Sequence, residues 1–183
     1  SIPSGLEERP TDCLSESVSL RALHFKMDST DFVRIGPVVA TRQNAVHITI
    51  KNEISEELVF RGNFFRQGHL GGQSWPVTIH PGASADVRSF GTFETFLSYT
   101  RCEGYIRYSL GEQGTVLTIA FYNGASGGMI NVGCEPSEQV FAVLRSFNHE
   151  PTTKRIRDGD HEYTVKFQCS SGATNNIAVS ISK

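Results

Sequence analysis

One segment constrains this chain more than any other. Thr115–Tyr122 reads TVLTIAFY, and as an extended strand it is apolar on both faces. Leu117, Ile119 and Phe121 point one way, and Val116, Thr118, Ala120 and Tyr122 point the other. A strand with no wet face has to be central and covered on both sides. It belongs to a longer run, Glu103–Cys134, that reads as consecutive strands. Tyr105–Leu110 precedes it across a turn bounded by Gly111 and Gly114. Asn123–Gly128 then reads as a flexible loop, and Met129–Val132 as a third short strand.

The flanking sequence supplies the layers that would cover it. Ala45–Ile50 alternates Val46, Ile48 and Ile50 with His47 and Thr49, the period of a half-buried strand. Leu58–Phe65 follows a charged turn. Trp75–Ile79 and Ala85–Phe90 read as strands split by His80-Pro81-Gly82, a turn signal. Phe93–Tyr99 reads as a strand or a packed loop. After Cys134 the period changes. Pro136 suits the first position of a helix, Glu138 suits its first turn, and Val140, Phe141, Leu144 and Phe147 follow helical spacing. The spacing predicts one short helix over 136–147. A charged loop, Glu150–His161, leads to a closing hairpin in which Tyr163, Val165, Phe167 and Cys169 alternate, then Ile177, Val179 and Ile181.

The N-terminal part is less regular. Residues 1–12 carry Pro3, Gly5 and Pro10 among charges and read as a mobile arm. Leu14–Met27 is readable as helix or strand, with Ser15, Ser17 and Ser19 favouring strand. Phe32–Val39 reads as an edge strand broken at Gly36-Pro37. The expectation is an N-terminal extension over 1–30 and one domain over 31–183. Its class is mostly β, a sandwich or barrel of about nine or ten strands, with a two-layer sandwich and one flanking helix expected.

A chain of 183 residues can bury a core without staples. Its net charge of −2 creates no strong field toward nucleic acid, and none is expected as a partner. The basic run Lys154–Arg157 is followed by Asp158 and Asp160 and reads as a solvated loop. Four cysteines, Cys13, Cys102, Cys134 and Cys169, form no C-x-x-C pair. Their wide spacing predicts two disulfides of undetermined pairing in an oxidising compartment, against the alternative of unpaired thiols buried as small apolar side chains. The polar opening, with Ser1 in place of Met, reads as a processed, secreted chain, although no glycosylation sequon supports this. No stretch of about 18 apolar residues offers a helical membrane span.

Catalytic patterns are missing from the sequence. The six histidines form no H-x-H or H-E-x-x-H pair, Gly124–Gly128 spells G-x-S-x-G without opening the strong helix of a nucleophile elbow, and there is no phosphate-binding glycine loop. Gly124–Gly128 lacks the Lys-Ser/Thr ending of such a loop. No enzyme activity, metal or cofactor is expected. Aromatic residues are more suggestive: Phe60, Phe64, Phe65, Trp75, Phe90, Phe93, Phe96 and Tyr99 are closely spaced. Such rings stack on sugars, cover choline groups or seat in membrane interfaces, and they also pack cores. Trp75 follows Gly71-Gly72-Gln73-Ser74 and reads as a loop-tip residue.

The order IKNEISEELVFRGNFFRQG, WPVTIHPGASADVRSFG, EGYIRYSLGEQGTVLTIAFYN, helix, closing hairpin resembles the actinoporin family of pore-forming cytolysins and the related fungal fruit-body lectins. The resemblance covers Ala45–Lys183. It rests on the turn Asn52–Ser55, the F-F-R-x-G run Phe64–Gly68, Pro81-Gly82, the G-Y-x-x-Y strand Gly104–Tyr108 and the final hairpin. It implies a β-sandwich and a non-enzymatic protein that recognises a cell-surface glycan or lipid head group, with a membrane as a further partner. The matched F-F-R-x-G run gives Arg66 and Gln67 as candidate ligand contacts, and stacking on exposed aromatics with hydrogen bonds from loop polar groups adds Trp75, Tyr99, Tyr122 and Asn123. The chain departs from the cytolysins at their head-group site. Tyr122–Gly128 is glycine and alanine with one tyrosine, where that family is rich in proline and aromatics. The helix offers Phe141 and Phe147 where that family carries tyrosines. A pore-forming toxin and a secreted protein-binding effector are the alternative readings.

Overall fold

The computed structural model describes residues 44–93, 100–111, 114–144 and 151–183. The N-terminal arm, Leu14–Met27, Phe32–Val39, Cys13, Tyr99, Phe147 and the proposed boundary between 1–30 and 31–183 lie outside the described residues.

Two sheets pack face to face. The first runs β4-β1-β11-β10-β9, where β1 is Ala45–Asn52, β4 Ser84–Phe90, β9 Thr152–Asp158, β10 His161–Cys169 and β11 Thr174–Ser182. The second runs β3-β2-β6-β7-β8, with β2 at Leu58–Gln67, β3 at Thr78–Ile79, β6 at Thr100–Leu110, β7 at Thr115–Gly124 and β8 at Gly127–Gly133. A short β5 (Thr92–Phe93) pairs with β6. A single described helix, α1 (Ser137–Val143), lies against β7 and β8. The described residues thus form a two-sheet sandwich with one helix and no closed barrel.

The doubly apolar strand sits where its side chains require. β7 lies between β6 and β8 in its sheet. Leu117, Ile119 and Phe121 join the core between the sheets, with Val46, Ile48 and Ile50 of β1 and Val165, Ile177, Val179 and Ile181 opposite. Ala120 and Tyr122 on the other face pack under Val140 and Leu144 of α1. Each fully buried aliphatic side chain in such a core contributes about 1.5–3 kcal/mol.

Buried amides stitch the two sheets together. Asn123 Nδ2 donates to the carbonyls of Ala45 at 2.8 Å and of Gly172 and Ala173 at 3.2 Å each. Asn175 Nδ2 returns the link from β11, donating to Tyr122 O at 2.9 Å. These contacts tie the end of β7 to the start of β1 and to the turn before β11.

Four expectations are corrected. The strand expected over Trp75–Ile79 shrinks to Thr78–Ile79, because Trp75 turns into the core instead of continuing the ladder. The loop expected at Asn123–Gly128 is a tight hairpin, with Asn123 paired to Gly128 and Gly124 to Gly127. Gly127 takes φ +90°, which an L side chain rarely adopts, so glycine makes this two-residue turn accessible. The solvated loop expected at Lys154–Arg157 is the edge strand β9. Arg155 and Arg157 face water while Ile156 and Asp158 face inward, a period that the run of charges conceals.

The disulfide expectation also fails. Any division of four cysteines into two bridges joins two of Cys102, Cys134 and Cys169, and no disulfide joins any of these three. Cys102 on β6 and Cys169 on β10 are buried, and Cys134 is half-buried in the bend after β8. Cys102 lies beneath Ser89 and donates to its Oγ at 3.3 Å, and Cys169 faces Gly128 O at 3.8 Å. Burial pushes the Cys102 thiol up to about 11, opposed in part by its hydrogen bond with Ser89. The folded chain therefore holds this proton more tightly than the unfolded chain does. Stability should be unaffected below about pH 9 and fall as pH rises toward 11. Denaturation midpoints measured across that window should show a shallower decline in Cys102→Ala. An unchanged slope would remove Cys102 as a source.

Candidate functional site: an aromatic and basic groove

The outer face of the six-stranded sheet carries an open groove of about 440 Å³ lined by Phe64, Arg66, Tyr105, Glu138, Phe141 and Ala142. Three elements build it. β2 pairs antiparallel with β6 and sets Phe64 directly opposite Tyr105. The register slips between Phe65 and Gln67, so Arg66 is the extra residue of a β-bulge. Bulges re-aim side chains, and this one places Arg66 on the outer face beside Phe64. Helix α1 forms the opposite wall. Val140 and Leu144 anchor it, Asn131 Nδ2 donates to Val140 O at 2.8 Å, and Phe141 and Glu138 are left turned toward the groove.

The rings form a continuous platform. Phe64 and Tyr105 centroids lie 5.4 Å apart, and Tyr105 meets Phe141 edge-on at 6.3 Å. Guanidinium groups sit above this platform at both ends, Arg66 at 6.0 Å from the Phe141 centroid and Arg107 at 5.9 Å from that of Tyr105. Arg66 Nε also lies 3.6 Å from Oε1 of Glu103, a carboxylate that is 1% exposed. Tyr105 OH donates to Glu138 Oε1 at 3.5 Å, a long bond on the open side. Beyond Glu138 a more polar depression of about 430 Å³ continues past Arg107, Thr118 and Ser137.

This arrangement suits recognition. Flat π faces pack against the C–H face of a sugar or against a cationic methylated group. Exposed guanidiniums donate paired hydrogen bonds to phosphate, carboxylate or hydroxyl oxygens. Glu138 supplies an acceptor. No described residue of the groove presents a nucleophile paired with a base.

Of the expected contacts, the groove gathers one, Arg66. Gln67, the next residue, accepts from Arg101 Nε at 2.6 Å and does not line the groove. Trp75 is 5% exposed and packs in the core, so it is no loop-tip platform. Tyr122 is buried beneath α1, where its hydroxyl accepts from Ser126 Oγ at 3.2 Å. Asn123 is fully buried and spends its donors on the opposite sheet. Tyr99 lies outside the described residues. Sequence reasoning passed over Tyr105, Glu138 and Ala142 as site residues. The outward parity of Phe64 and Arg66 was readable, but their meeting with Tyr105 depends on strand register.

The fold and groove define a class: a two-sheet β-sandwich with a single helix over one outer face and an open, ring-lined site beside it. Among solved structures the chain is similar to the lipid binding protein Nakanori, with 13% identity, a TM-score of 0.62, and coverage of 76% of this chain and 71% of that one. The Xerocomus chrysenteron lectin XCL aligns with 12% identity and a TM-score of 0.46, over 76% of this chain and 99% of that one. The likeness to Nakanori is one of fold, and it agrees with the sandwich that the cytolysin and lectin resemblance implied. No family model and no curated protein matches the sequence.

Proposed function

We propose that this chain is a non-enzymatic binding protein that recognises a cell-surface glycan or lipid head group in the Phe64–Tyr105–Phe141 groove. The observation that carries the reading is the convergence of three rings, an exposed arginine and a carboxylate on one open concavity. A structural neighbour that binds lipid agrees with it. Such a partner would put the chain at work outside the cell. Val143 is 48% exposed and Phe64 46%, so the rim presents apolar surface to whatever carries the head group.

The rings should dominate affinity and the guanidinium should set its salt dependence. Phe141→Ala should weaken binding about tenfold or more, as loss of a desolvated aromatic anchor does. Arg66→Ala should weaken it several-fold and flatten its dependence on ionic strength. Glycan arrays and vesicle flotation with wild type and both variants, at matched thermal stability, provide the measurement. Binding left intact by Phe141→Ala would remove the groove from the reading. Leakage of dye-loaded vesicles at the same concentrations would move it toward the permeabilising alternative.

A further inference from the structure

We infer a second binding site on the outer face of the other sheet, a channel across β11 that takes an acidic oligosaccharide. The channel measures about 400 Å³ and is lined by Thr49, Lys51, Ser84, Thr153, Lys166 and Ser180, among others. Strand register explains why it exists. One cross-strand row runs Ser84–Lys51–Ser180–Lys166–Thr153, and the next runs Asp86–Thr49–Ala178–Gln168. The central strand contributes the smallest side chains, Ala178 and Ser180, between longer neighbours. A trough is left along the middle of the sheet. Lys51 and Lys166 stand on either side of Ser180, two strand spacings apart, or about 10 Å between their backbones.

Charge selects the occupant. The outward positions of this sheet hold five bases, Lys51, Arg88, Arg155, Arg157 and Lys166, against two acids, Asp86 and Glu162. Both acids are already engaged. Thr49 Oγ1 donates to Asp86 at 2.5 Å, and Arg155 and Arg157 lie 3.7 and 3.6 Å from Glu162. Lys51 makes an exposed pair with Glu53 at 2.6 Å, which a polyanion can exchange at little cost. Lys166 makes no ion pair among the described residues. Hydroxyls of Thr49, Ser84, Thr153 and Ser180 and the Gln168 amide are spread through the lining, among apolar surface from Ala178, Pro151, Phe167, Val179 and the lysine stems. Hydroxyls and an amide match sugar hydroxyls, and two separated ammonium groups match carboxylates or sulfates on successive rings. The channel is on the opposite outer face from the aromatic groove, so the two sites are independent.

The test is titration calorimetry of the full chain with a hexasaccharide of alternating uronate and N-sulfated glucosamine, with maltohexaose as the neutral counterpart. The acidic sugar should bind, weaken as salt rises, and lose about tenfold in affinity in Lys166→Gln. Ser180→Tyr, which fills the trough from the solvent side, should abolish binding while leaving the denaturation midpoint in place. Maltohexaose should not bind. Three results would overturn the proposal: no acidic-sugar binding, binding insensitive to both channel variants, or loss in Phe141→Ala with retention in Lys166→Gln, which assigns the ligand to the aromatic groove. Phosphatidylserine vesicles that bind and respond to Lys166→Gln while the hexasaccharide does not would make the occupant a membrane and equally overturn it.

Discussion

Gly104→Ala should be the most damaging single substitution among the described residues of the groove's scaffold. A methyl group at this position would stand 2.1 Å from the Phe64 carbonyl oxygen and 3.1 Å from Phe65 Cα. Both obstacles are backbone, so no rotamer change relieves the clash. The strands must part where Phe64 faces Tyr105 and Phe65 faces Gly104, next to the bulge that aims Arg66. The expected cost is on the order of 3 kcal/mol or more, at the upper end of overpacking effects. Ligand affinity should fall with stability, because the same displacement separates the rings. Gly124→Ala is the comparison. Its methyl would meet the Tyr122 hydroxyl at 2.4 Å, the far end of a side chain that can shift, and it should cost clearly less. Urea midpoints of the two variants give the measurement, and equal losses would refute the backbone argument.

Asn123→Ala comes next in expected size, and it separates two roles for that residue. Removing the amide strips the donor from the carbonyls of Ala45, Gly172 and Ala173 at the seam between the sheets. Asn123 is 0% exposed and Ala45 is buried, so the bond between them is not readily replaced by water. A loss of about 1–3 kcal/mol is expected, the cost of the lost bond to Ala45 O and of the space left by a buried amide. Affinity per folded molecule should stay unchanged, because the residue does not line the aromatic groove. If binding disappeared while the midpoint held, Asn123 would be a ligand contact and not a seam.

The two residues illustrate what is legible in a single sequence. Asn123 stood out because it ends an apolar strand before a glycine-rich run, and a polar residue there suggests a loop contact. Its actual work is to donate to carbonyls contributed by Ala45 and by the turn before β11, far away in the chain. Trp75 misled for a similar reason. Glycines before it signal a turn, but they do not say toward which side the indole then points. The cysteines show the limit again: spacing is compatible with bridges, and only positions in space reveal that the three described thiols, on β6, on β10 and in the bend after β8, are not joined.

Alternation of side chains by itself determined the two-layer architecture, the central place of β7, the closing hairpin and the amphipathic helix near Pro136. These are local consequences of the period-two strand and the 3.6-residue turn, and they need no knowledge of neighbours. Tertiary structure alone decided where function can reside. The Phe64–Tyr105 pairing, the bulge at Arg66, the seating of Phe141 over Tyr105, and the lysines flanking Ser180 all depend on register between distant strands. Register is set by the packing of the whole sandwich, because a slip of one residue would turn each buried row outward.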